Sequence, residues 1–262
     1  MGEINRMNSG HRGMRCWTCL VWGFLALLVL GCAGGVPSIP DSPDAILAKG
    51  DRYFQKKKFY SSHELYKAFL ARHPGHSRSD YAQFMLAESY FNDEDYLLAG
   101  VEYRILMSNY GYSDHVDEAY FKGALCDYHQ APKAQLDQTK TYQALSQFQQ
   151  FVQVFPESPL VPEAQEYIGR INEKLARKEI ENTRFYFRRK LYISAMIYAD
   201  KIIDNYPDNQ YWVEAKYIKA KIFVARGEEH DALGLLREVI EYPDDLRVKR
   251  DAELLLKRLT QG

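Results

Sequence analysis

Residues 50–74 read GDRYFQKKKFYSSHELYKAFLARHP. A small residue, Gly50, opens the stretch, Tyr53 follows three on, Ser62 stands twelve after Gly50, and Pro74 twelve after Ser62. The same layout returns as Ala87, Tyr90, Ala99 and Gly111, and again as Thr183, Tyr186, Ala195 and Pro207. Its second half alone, a small residue and then a break, returns as Ala144 before Pro156 and Ala232 before Pro243. Small residues let two helix axes approach closely, aromatic side chains fill the space beside them, and proline ends a helix because it cannot continue one. The pattern predicts a helical hairpin, repeated along the chain.

This layout resembles the tetratricopeptide repeat. The predicted fold is all-α: an α-α superhelix (solenoid) of five degenerate tetratricopeptide repeats with a C-terminal capping helix. Ser42-Pro43 and Ser158-Pro159 place a capping hydroxyl before a proline suited to a first helical turn, and Asp95 and Asp114 are candidate caps for two more helices. Apolar residues recur at helical spacing, as in Tyr66, Phe69 and Leu70 or Ile197, Ile202 and Ile203. Two irregularities interrupt the period. The third unit carries an insertion beginning at Ala131-Pro132, and nothing breaks the chain between Pro159 and Arg189, which predicts a single helix of about 45 Å. A last helix is expected from Asp245 to Leu259, with residues 260–262 frayed.

Composition bounds the function. The 262 residues carry 34 Lys and Arg against 35 Asp and Glu, a net charge of −1, and so lack the cationic surplus that nucleic acid requires. Arg6, Arg12 and Arg15 precede an uninterrupted uncharged run from Leu20 to Leu30 that ends in Val29-Leu30-Gly31-Cys32. That ending resembles the lipobox of bacterial lipoproteins, in which the cysteine thiol accepts a diacylglycerol before the peptide is cleaved. The expected organisation is a signal peptide over 1–31, lipidated Cys32 with a flexible tether over 32–43, and a repeat domain over 44–262. The halves of that domain are 44–130 and 140–262. An uncleaved membrane-spanning helix reaching Val36 is the alternative. The absence of aspartate at Ala33 implies, by the same resemblance, delivery to the outer membrane. Cys16 and Cys19 fall inside the segment expected to be removed.

No catalytic constellation emerges. GxSxG, HExxH and glycine-rich phosphate loops are absent, and His73 and His76 lack the cysteines or carboxylates a structural zinc needs. No enzyme, metal or cofactor is expected, and Cys126 reads as a buried thiol. Surface remains. In a repeat stack, first helices line the inner face, which places Asp51, Phe54 and Gln55 there in the first unit. Tyr81, Phe84, Glu88, Phe91 and Asn92 follow in the second unit, and Tyr120, Asp127 and Tyr128 in the third. Such aromatics suit an extended peptide, or else fill the core between units. Arg177, Arg184, Arg188 and Arg189 lie on or near one face of the long helix, as a site for an acidic partner or as a solvated face.

Phrases in the centre carry a more specific resemblance. ALSQFQQFVQVFPESP (144–159), EAQEYIGRINEKLARKE from Glu163, FYFRRKLYISA ending at Ala195, and DEAY from Asp117 resemble the BamD family of outer-membrane β-barrel assembly lipoproteins. That resemblance implies N-terminal repeats receiving C-terminal targeting peptides of unfolded outer-membrane proteins. It also implies C-terminal repeats docking on the POTRA region of the barrel subunit BamA. Tyr198 stands where some members carry a basic residue, so Tyr198 joins the docking surface without that charge. A tetratricopeptide lipoprotein scaffolding peptidoglycan or cell-division enzymes is the other reading.

Overall fold

The computed structural model describes residues 37–207, 209–242 and 246–261. The segment expected to be a signal peptide, with Cys16 and Cys19, the expected lipidation site Cys32, Pro243 and Gly262 lie outside the described residues. Among the described residues every regular element is a helix, and the helices pair in chain order. The first hairpin is α1 (Pro43–Gln55) with α2 (Phe59–Arg72), and the second is α3 (Ser79–Asn92) with α4 (Tyr96–Asn109). The third is α5 (Val116–Gln130) with α6 (Thr139–Val154). The fourth joins α7 (Val161–Arg188) to α8 (Tyr192–Asn205), the fifth α9 (Trp212–Arg226) to α10 (Glu229–Glu241), and α11 (Leu246–Gln261) closes the stack. Each helix packs on the next, and α9 also touches α7 and α11. Neighbour-only packing of this kind is an α-α solenoid.

The predicted small residues are the hairpin contacts. Ser62, Ala99, Ala144, Ala195 and Ala232 are completely buried, as are the residues four and seven places after each. Those residues are Tyr66 and Phe69, Tyr103 and Leu106, Phe148 and Phe151, Ala199 and Ile202, and Leu236 and Val239. Spacings of four and seven put all three on one helix face. In the first hairpin a Cβ on Gly50 would stand 2.9 Å from Tyr66 Cε1, so glycine there is what admits the tyrosine.

The turns repeat as faithfully. Within four hairpins the turn residue has a left-handed backbone: Lys57 (φ 54°), Glu94 (φ 62°), Lys190 (φ 59°) and Gly227 (φ 78°). The third hairpin instead carries the loop 131–138, the insertion expected at Ala131-Pro132. Between hairpins one backbone pattern recurs, as in Ser79 N–H to His76 and Val116 N–H to Ser113. Ser113 Oγ then donates to Asp80 of the preceding first helix, 2.8 Å, and Ser158 Oγ to Asp117, 2.8 Å.

Several edges differ from expectation. Ser42 caps α1 and Asp95 caps α4, but Asp114 caps nothing: His115 holds the cap position of α5 and offers no side-chain bond. Ser158 is spent on Asp117, and Pro162 rather than Pro159 occupies the first turn of α7. That helix spans 28 residues, about 42 Å. Its N-terminal part packs with α5 and α6 around Ile171 and Leu175, and its C-terminal part with α8 and α9 around Ile180. Ile197 is exposed rather than inward. The last helix runs on through Thr260, whose hydroxyl donates to the Leu256 carbonyl, so helix replaces the expected fraying up to Gln261. Residues 37–40 pack instead of hanging free. Ile39 lies against the first core cluster, and Lys49 Nζ binds the Ser38 carbonyl at 2.7 Å.

Candidate protein-binding grooves

The first helices α1, α3, α7 and α9 share a register position, the residue after their small contact residue. It holds Asp51, Glu88, Arg184 and Lys221. The sign of the charge therefore inverts between the two halves of the stack.

In the N-terminal half both carboxylates are consumed internally. Asp51 Oδ1 accepts from Tyr66 (2.6 Å) on its own partner helix and from Tyr81 (2.9 Å) on the next first helix. Burial, reinforced by the Asp51 bond, holds the Tyr81 hydroxyl's pKa up at about 12. Glu88 repeats the arrangement, with Tyr103 donating to Oε1 and Lys122 of α5 reaching both oxygens at 2.6 and 2.7 Å. Burial, with Glu88 second, pushes the Tyr103 pKa well above normal, so this hydroxyl stays a donor. Phe84 is buried and stacked on His115 at 4.4 Å. Glu88 and Phe84 are therefore buried ties between hairpins, where the expectation made them groove contacts, and half-buried Asp51 also ties two hairpins through its Oδ1. The first-helix aromatic is buried because the next hairpin's turn lies on it.

Phe54 and Phe91 are only partly buried and Gln55 and Asn92 are exposed, so a peptide has these four to meet. Tyr81 is partly buried, with the Arg78 guanidinium over its ring. In the third unit only Tyr128 keeps an equivalent place, level with Phe91, and it packs edge-on against Tyr167 at 4.9 Å. Tyr120 and Asp127 face the other way. They line a cleft of about 560 Å³ between α4 and α6, and Asp127 accepts from Lys140 (2.7 Å) and Gln147. The cause is register: counted from the turn bonds, Ala124 and not Gly123 is the residue level with Ala87, so Tyr120 falls level with Gln83. Gln83 in turn bonds Glu102 of a second helix.

In the C-terminal half the arginines divide. Arg184 makes a bidentate pair with Glu214 of α9, 2.7 and 2.5 Å, and Arg177 donates to the Tyr211 hydroxyl at 3.2 Å. Arg189 is the cap residue of α7 and lies over Phe185 at 4.1 Å, off the stripe. Arg188 is exposed and lines a cavity of about 450 Å³ formed by α7, α9 and α11. Tyr198 belongs to α8 and stacks on Tyr186 at 5.3 Å. On α8 and its approach Leu191, Ile193 and Ile197 are exposed, Ile193 to 74 %. Phe187, Tyr217, Lys221, Arg247 and Arg258 also face the clefts here and were not singled out from sequence. The signal for Lys221 existed: Ala220 stands twelve before Ala232, as Gly50 does before Ser62.

Cys126 is a buried free thiol whose pKa burial pushes up to about 12, which leaves it inert at neutral pH. No group of three or more His, Cys, Asp or Glu suited to a metal occurs among the described residues, and no described helix is long and apolar enough to cross a membrane.

Among the described residues, five helical hairpins with a terminal helix define a tetratricopeptide-type solenoid. A profile of the family described as "YfiO: Outer membrane lipoprotein" matches residues 40–233, and the chain belongs to that family, the BamD family. It is 27% identical over 214 residues to "Outer membrane protein assembly factor BamD" of Rickettsia prowazekii, an alignment covering 79% of this chain and 85% of that one. The Haemophilus influenzae protein of the same name is 24% identical over 214 residues, covering 78% and 82%. Among solved structures, a TPR repeats protein from Bacteroides fragilis aligns with TM-score 0.44 and 11% identity, covering 85% of this chain and 96% of that one.

Proposed function

We propose that this chain is a non-enzymatic, lipid-anchored scaffold of outer-membrane β-barrel assembly. Cys32 carries the lipid and holds the repeats at the periplasmic face of the outer membrane. The N-terminal repeats receive the C-terminal targeting segment of unfolded outer-membrane proteins through Phe54, Gln55, Phe91, Asn92 and Tyr128. The C-terminal repeats dock on the POTRA region of a BamA-like barrel subunit. Family membership supports the assembly role. The observation that carries the docking reading is the exposed apolar group Leu191, Ile193 and Ile197 on the fourth hairpin, beside Tyr198 and Arg189. Exposed apolar groupings of this kind mark interaction surfaces.

The test is a tagged full-length bait purified from detergent-solubilised outer membrane, with co-purifying proteins identified by mass spectrometry. A POTRA-bearing barrel protein should be recovered in stoichiometric amount, and Ile193→Asp with Ile197→Asp should lose it while helicity stays unchanged. Recovery of peptidoglycan enzymes with no barrel subunit would overturn the reading. Cys32→Ala should abolish palmitate labelling.

A further inference from the structure

We propose that the groove formed by α7, α9 and α11 is a separate binding site for an extended acidic peptide segment, one that alternates carboxylates with aromatic or branched apolar side chains. Two adjoining cavities, of about 450 and 380 Å³, share Phe187, Tyr217, Lys221 and Asp251, so they form one continuous trough. Its three walls are alternate helices of the stack, the face that first helices share, whereas the exposed apolar residues of α8 belong to a second helix. The proposal therefore stands apart from the docking surface proposed above.

Charge selects the ligand. Arg188, Lys221, Arg247 and Arg258 make no ion pair among the described residues. Of the two carboxylates among the described lining residues, Glu214 is already held by Arg184, which leaves Asp251 against the four described cations. Lys221 is the centre of the arrangement. Its ammonium lies 4.9 Å from the Phe187 ring and 5.3 Å from the Tyr217 ring, which fixes the cation while leaving its hydrogen-bond donors for an incoming carboxylate. At one end of the trough Leu254 is 59 % exposed, next to Val224 and Leu255, and gives an apolar side chain somewhere to lie. Carboxylates on the cations and apolar groups on Leu254 and the aromatic faces require both chemistries within a few residues of extended chain.

The probe is a fluorescein-labelled peptide alternating Asp with Phe and Leu, read by fluorescence anisotropy against the purified full-length chain in detergent. Its control is the same peptide with every Asp replaced by Lys. The acidic peptide should bind and the lysine peptide should not. Arg188→Glu with Lys221→Glu should lower affinity by about tenfold or more, as expected for paired charges at a binding site. Arg247→Glu with Arg258→Glu, at exposed positions of the last helix, should lower it as well without touching α7 or α9. Equal binding of the two peptides, or full affinity in both double variants, would overturn the site. So would loss caused by Phe54→Ala at the other end of the stack. Lys221-dependent co-sedimentation with phosphatidylglycerol vesicles that displaces the peptide would reassign the trough to lipid. Loss of the co-purifying barrel subunit in Lys221→Glu, with Ile193→Asp harmless, would make it a docking surface instead.

Discussion

Two halves built from one hairpin fill the same position with opposite charges, and of the four only Lys221 makes no side-chain hydrogen bond among the described residues. Asp51 and Glu88 in the N-terminal half are inward ties, each accepting a tyrosine fifteen residues on and a donor from the next first helix. Arg184 and Lys221 in the C-terminal half have Ala199 and Leu236 in place of those tyrosines. With nothing on their own hairpin to receive them, Arg184 crosses to Glu214 and Lys221 rests on aromatic faces at the edge of a cavity. A charge with two internal partners is architecture, and a charge left on a trough wall is available for a ligand. The lesson is that register in a repeat tells which residues are equivalent, while the neighbours decide which of them can work.

The comparison breaks most readily at Glu88. Glu88→Ala leaves Lys122 and the Tyr103 hydroxyl without their buried acceptor and should cost about 3 kcal/mol or more in urea denaturation. Lys221→Ala should cost about 1 kcal/mol, because two cation–ring contacts are lost but no internal ion pair. Equal costs would erase the distinction between the halves. Phe84→Ala, which empties a buried site against His115, should cost about 3 kcal/mol, whereas partly exposed Phe54→Ala costs less and reports on peptide binding. Gly50→Ala forces a Cβ onto the Tyr66 ring and should destabilise by about 1–2 kcal/mol, seen as a lower Tm with the N-terminal hairpin losing hydrogen-exchange protection first.

The smallest effect expected is of pH. His63 is buried against Tyr90, and burial lowers its pKa below the ordinary 6.5. The unfolded chain then takes up the proton first, so stability holds above pH 6.5 and declines as pH falls below it toward the folded-state value. His63→Phe should flatten that decline in urea midpoints measured between pH 7 and pH 5. A midpoint in the parent that is independent of pH would show His63 to be protonated without penalty.

Much of the fold was legible because the packing is local. Hairpin partners lie within one repeat, so the small residues, the long helix and the insertion of the third unit all left marks at fixed spacing. The binding faces were legible only in part. Tyr120 and Asp127 were misplaced by one residue of register, since Gly123 and Ala124 are both small and only the turn hydrogen bonds choose between them. Phe84 looked like groove because an aromatic at its position is also what a peptide site would use, and burial by the following turn is invisible in spacing.

The sequence by itself determined the helical hairpins, their number, their small-residue contacts and the family, because each depends on residues close together along the chain. Tertiary structure alone decided which charges are spent. Glu88 meets Lys122 thirty-four residues away, and Arg184 meets Glu214 thirty away, across the contact of one first helix with the next. Whether a side chain is neutralised depends on that distance in space, which the stacking geometry sets and the repeat period does not encode.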